Sequence, residues 1–254
     1  MTSILALAAL LLQSNHGHEW PTLREELMKH GLEGAQVAGI DDIERRITSY
    51  AVGSDNQWFA IAYYRHEGES LGQLRVRTLD RRANHWRYAV FDPDVLKGGS
   101  ALRIARAGRW VYLDLHINPS AGSLIVLDQN LTVKRRLAGW SSLLLDDERV
   151  VYENNMVHFA PYHPASATLY DPSSDREEKL YPLGPIDPPI EMPEDRSIVT
   201  IKATAPQSIV IVVIEQDLRW RDNARTEPNG PERKLTVSCD VSAPKPRCIA
   251  EPAR

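Results

Sequence analysis

Ser123–Leu137, SLIVLDQNLTVKRRL, decides the fold. An apolar run ends in Val126-Leu127-Asp128, polar residues turn the chain, and a second run begins near Thr132. Runs of four to nine residues bounded by turn formers read as strands, and an aspartate suits the turn because its carboxylate accepts nearby backbone N–H groups. The same step recurs at Thr78-Leu79-Asp80 and Leu169-Tyr170-Asp171, and in a weaker form at Val237-Ser238-Cys239-Asp240. The aspartates are 48, 43 and 69 residues apart. The last interval contains the proline-rich stretch 182–193 and the stretch 219–231, both read as insertions, which leaves an underlying period of about 40 to 50 residues.

Each aspartate closes the third of four apolar runs. The first unit comprises 46–52, 58–64, 73–79 and 85–91, and the second 101–106, 110–115, 123–127 and 132–137. The third comprises 140–145, 148–153, 167–170 and 177–181, and the fourth 198–203, 208–215, 233–238 and 246–250. Four antiparallel strands at this period match the blade of a β-propeller, which buries its faces only by stacking on its neighbours. With steps such as Leu127-Asp128 and Tyr170-Asp171, residues 46–250 resemble the generic propeller repeats of the YVTN and TolB-like kind. That resemblance implies an all-β, propeller-like array of about four four-stranded units and no particular activity. A two-sheet β-sandwich is the alternative architecture.

Outward from this array, the chain has 254 residues, 30 Lys and Arg against 34 Asp and Glu, and a formal charge of -4. That balance argues against nucleic acid as a partner, because phosphate binding needs a clustered basic face. Ile4–Leu12 is a run of nine apolar residues, the length of a secretion-signal core and too short to span a bilayer. Residues 1–14 are therefore expected to be a signal peptide, although no Lys or Arg precedes the run; a buried hydrophobic helix is the other reading. Residues 15–45 form a helical leader, with Leu23, Leu27 and Met28 on one face and a stop at His30-Gly31, and 46–254 form a single all-β domain. Cys239 and Cys248 flank a turn containing Pro244 and Pro246, so they are placed to form a disulfide across one hairpin in a secreted or periplasmic protein.

No G-x-S-x-G, H-E-x-x-H or phosphate-loop motif is present, and Gly139-Trp140-Ser141-Ser142 reads as a strand start. The histidines carry more. His66, His116 and His158 precede the aspartates of their units by 14, 12 and 13 residues, placing one in each loop between second and third strands. His163 and Tyr162 share the third loop, and Glu215 opens the corresponding stretch of the fourth unit. These six residues are the candidate ligand-binding set. His66, His116 and His158 also form a candidate site for a divalent metal such as zinc, since neutral imidazoles are its common ligands. The leading expectation is an exported domain that recognises a protein, peptide or saccharide through its loop face. The alternative is a metal-dependent lyase or hydrolase at the same mouth, and a third reading is a structural piece of a larger assembly.

Overall fold

The computed structural model describes residues 25, 27–32, 47–65, 73–92, 100–118, 121–154, 165–183, 194–222 and 225–252. Nearly all of them lie in strands, arranged as four antiparallel sheets of consecutive strands. Sheet 1 contains β1 (Ile47–Ser54), β2 (Trp58–Arg65), β3 (Leu74–Asp80) and β4 (His85–Phe91), in that order. Sheet 2 contains β5 (Ser100–Ala107), β6 (Trp110–Asn118), β7 (Ala121–Leu127) and β8 (Val133–Ala138). Sheet 3 contains β9 (Trp140–Leu144), β10 (Val150–Asn154), β11 (Ser166–Asp171) and β12 (Arg176–Tyr181). Sheet 4 runs β13 (Glu194–Ala205), β14 (Ser208–Asp222), β16 (Arg233–Asp240) and β17 (Arg247–Pro252), with β15 (Arg225–Pro228) paired to the far end of β14. Four separate meanders replace the two-sheet sandwich alternative. The stretch 219–231, read as an insertion, instead prolongs β14 into a hairpin with β15, in which Leu218 pairs with Pro228 and Trp220 with Thr226.

The recurring aspartates do what their position implies. Asp80 accepts the N–H groups of Arg82 and Ala83 at 3.0 and 3.1 Å. Asp128 accepts those of Asn130 and Thr132 at 2.8 and 2.9 Å, and Asp171 that of Ser173 at 2.8 Å. Asp240 accepts that of Ser242 at 2.9 Å. Each turn between third and fourth strands is therefore closed by one side chain.

The chain divides between Ile104 and Ala105, inside β5, into two compact units. In the first, alternation along β2 puts Phe59, Ile61 and Tyr63 on one face. Leu27 and Leu32 of the leader pack there with Leu79, Tyr50, Val52 and Trp86. Glu25 and Leu27–Lys29 are helical, and the helix ends where expected: Gly31 has φ 76° and its N–H bonds to the Met28 carbonyl at 2.8 Å. Arg81 then caps the helix, donating to the carbonyls of Gly31 at 3.0 Å and of His30. Met28 differs from the expectation: its side chain is 52% exposed, and Leu32 beyond the stop, not Met28, joins Leu27 against the sheet.

In the second unit the sheets pack face to face. Trp110, Tyr112, Leu124 and Val126 of sheet 2 meet Val150, Tyr152 and Tyr170 of sheet 3. Val151, Leu169 and Leu180 of sheet 3 meet Ile209, Ile211, Val213 and Val237 of sheet 4. Sheet 3 is thus buried on both faces, which is why β10 reads Val150-Val151-Tyr152 without a polar alternate. Cys239 and Cys248 sit opposite one another in the β16–β17 ladder and form a disulfide, with Cys239 buried in the sheet 3–sheet 4 core. Closing so short a loop stabilises by about 2 to 3 kcal/mol in the chain-entropy account.

Candidate functional site

The ends of the second unit's sheets differ in how they use polar groups. At the turn end, aspartates bind backbone. At the other end, where second strands lead into third, polar side chains are buried between sheets.

Trp110, Tyr112, Asp114 and His116 alternate along one face of β6, the face that packs on sheet 3. Asp114 is therefore carried into a core; it is 4% exposed. Both its oxygens are engaged by Ser141 of β9, whose N–H donates to Oδ1 at 2.7 Å and whose hydroxyl donates to Oδ2 at 2.6 Å. Ser141 pairs with Tyr152, and its neighbour Trp140 with Glu153, across a bulge in the β9–β10 ladder. Glu153 is half-buried. Burial pushes its carboxyl above the ordinary range, a hydrogen bond from Ser142 opposes that, and the charge of Asp114 adds to it. Two carboxylates thus lie within electrostatic reach of one another under this end of the unit.

Trp140 and His116 complete the set. His116 pairs with Gly122 of β7, and the Trp140 indole lies over Gly122 so closely that a β-carbon there would come within 2.2 Å of the ring. Gly122 therefore makes room for the ring. The indole N–H is buried without a hydrogen-bond partner. Gly139, with φ 137°, lets the chain enter β9 against Glu153: a β-carbon there would meet the Glu153 carbonyl oxygen at 2.1 Å.

A second polar cluster lies between sheets 3 and 4. Tyr181 donates to Glu215 at 2.6 Å; Arg233 approaches Glu215 at 3.6 Å and holds Asp217 through two bonds, at 2.6 and 3.0 Å. That bidentate bond keeps the Asp217 carboxyl below its usual range. The Glu215 carboxylate is consequently engaged by a phenol and a guanidinium.

No family model matches the chain, and neither does any curated protein. Among solved structures, the crystal structure of the tricorn protease is similar over 80% of this chain at 10% identity, with a TM-score of 0.41. The chain spans 26% of that protein.

Of the sequence-predicted site residues, His116 and Glu215 are described, in different inter-sheet layers. His66, His158, Tyr162 and His163 lie outside the described residues. Among the described residues no three His, Cys, Asp or Glu side chains gather as metal ligands. The sequence reading missed Asp114, Glu153, Trp140 and Ser141 as parts of a site. The signal was local: Tyr112-Leu113-Asp114-Leu115 places one carboxylate inside a run otherwise bound for the core, and buried carboxylates require partners.

Proposed function

We propose that this chain is an exported binding domain of propeller-like build that recognises a protein, peptide or saccharide through the end at which second strands lead into third. The observation that carries this reading is the Asp114–Ser141–Glu153–Trp140 group. It concentrates two carboxylates and an unpaired indole N–H at that end, beside His116, while the opposite end uses its aspartates to close turns. An aromatic face beside fixed acceptors suits a sugar ring or a peptide side chain. Glu215 of β14, held by Tyr181 and Arg233, is included in the proposed set. Export is supported by the disulfide and by the apolar run 4–12; among the described residues no helix is long and apolar enough to cross a membrane.

The test is a glycan and peptide array probed with the full chain, followed by affinity measurements on Trp140→Ala, His116→Ala and the exposed control Lys134→Ala. The reading expects a binder that the first two variants weaken and the control leaves alone. An array without binders, or binding indifferent to Trp140 and His116, overturns it.

A further inference from the structure

The fourth strand of sheet 4 is anchored unlike the other fourth strands, and independently of the face proposed above. β4 packs Trp86 against the layer of Phe59, Ile61 and Tyr63. β8 gives Leu137 to the sheet 2–sheet 3 core, and β12 gives Leu180 and Tyr181 to the sheet 3–sheet 4 core. β17 offers no such side chain: Arg247, Ile249, Ala250, Glu251 and Pro252 are all exposed, Ile249 at 66%. Cys248 alone packs against that core, and it does so as one half of the disulfide with the buried Cys239. The rest of the attachment is the ladder to β16, from Leu235 opposite Pro252 to Asp240 opposite Arg247, and the attraction between those last two charges. β17 is also the edge of its sheet, so it has no second strand to hold it.

A strand that buries almost no apolar surface opens locally at low free energy unless something else fixes it. Here a covalent bond stands where the other sheets use leucine, tyrosine or tryptophan, and a disulfide, unlike an apolar contact, can be undone by a reductant. The two sulfurs are unequal in access: Cys239 is 3% exposed, whereas Cys248 is half-buried on an exposed strand. A thiolate of a dithiol reductant therefore attacks Cys248 Sγ; the S–S bond breaks, and Cys239 leaves as a thiolate and takes up a proton. The second thiol of the reductant then attacks the mixed disulfide, frees Cys248 as a thiol and closes the reductant's own disulfide, so two electrons pass to the protein. The connection to β16 stays fixed meanwhile. Val241 is fully buried, its N–H donates to the Gln207 carbonyl at 2.9 Å, and its carbonyl accepts from Arg149 at 2.8 Å. The pivot of any release thus lies beyond Val241, in the exposed residues Ser242–Lys245.

We propose that the Cys239–Cys248 disulfide is a redox latch on β17: a dithiol opens it in the folded protein, β17 comes away from β16, and β13, β14 and β16 stay in place on sheet 3. The full chain is incubated with and without dithiothreitol under native conditions, its free thiols are counted, and amide hydrogen exchange is followed by mass spectrometry. On reduction two thiols appear, and exchange in 247–252 and along β16 accelerates about tenfold or more, the order expected when so short a closed loop is released. Exchange in β10 and in 209–213 of β14 is unchanged. Cys248→Ser shows the same fast exchange in 249–252 without reductant; if that variant folds poorly, the reduced parent carries the test alone. The proposal is overturned if dithiothreitol leaves the disulfide intact in the folded protein, or if β17 exchanges as slowly after reduction as before. It is equally overturned if β10 and β14 accelerate together with β17, since the disulfide would then hold the whole core and not one strand.

Discussion

Asp114 and Ser141 join two sheets through one carboxylate: the serine N–H and hydroxyl both donate to it, at 2.7 and 2.6 Å, and both residues are buried. Asp114→Ala leaves two donors of Ser141 without an acceptor in a closed layer. The expected loss is about 2 to 4 kcal/mol, read as a lower urea midpoint with an unchanged slope. Asp114→Asn keeps one carbonyl acceptor, and the serine hydroxyl can turn to accept from the new amide, so its loss is smaller. Equal losses in the two variants would show that the ion, not the pair of bonds, is what matters.

The turn aspartates make a contrasting case, exposed and local. Asp128→Ala removes the acceptor for Asn130 and Thr132 and should cost about 1 kcal/mol, while Gln129→Ala in the same turn stays within about 0.5 kcal/mol. Thermal melts of the two variants check this. A Gln129 variant as damaging as the Asp128 one would deny the aspartate its turn-closing role.

These two cases mark what was legible in the sequence. Asp80, Asp128, Asp171 and Asp240 act within a few residues of themselves, so their spacing carried the four-sheet plan directly. Asp114 acts on Ser141, 27 residues away in another sheet, and its meaning appears only once β6 and β9 are packed. The leader shows the same limit: the stop at Gly31 is local and was readable, whereas the choice of Leu32 over Met28 as the buried partner depends on the shape of the sheet beneath. The β14–β15 hairpin was hidden because Arg219, Arg221 and Arg225 give no apolar alternation, and the ladder there is held by backbone pairing and the Arg219–Glu227 ion pair at 2.7 Å.

Glu153 sets a pH dependence of definite sign. Its folded-state pKa is raised, first by burial and then by the Asp114 charge, with Ser142 opposing. A carboxyl with a raised folded pKa contributes stability that is fully present below its unfolded value, near 4.5, and is lost as pH rises through the folded value. Glu153→Gln removes the ionisation. The variant should be at least as stable as the parent at pH 7, with a flatter stability profile above pH 4.5, measured by urea midpoints across the range. A parent that gains stability over that range relative to Glu153→Gln would refute the assignment.

Gly122 and Trp140 link the fold to the proposed binding end most directly. An ideal β-carbon on Gly122 lies 2.2 Å from Cε2 and 2.3 Å from Nε1 of the indole, contacts that no side-chain pair sustains. A fused ring in a packed layer has no flexible tip to withdraw, so Gly122→Ala must displace the whole indole or spread β7 from β9. The expected cost is about 1 to 3 kcal/mol, together with a red shift of tryptophan emission as the ring leaves its buried seat. Trp140→Phe provides the comparison: the smaller ring relieves part of the clash, so the double variant should lose less than the sum of the single changes. Strict additivity would mean that the alanine is accommodated elsewhere and that Gly122 does not hold the indole in place. If the indole forms part of the recognition face, Gly122→Ala also weakens the ligand found on the array while leaving His116 chemically intact, which separates ring position from histidine chemistry in the same assay.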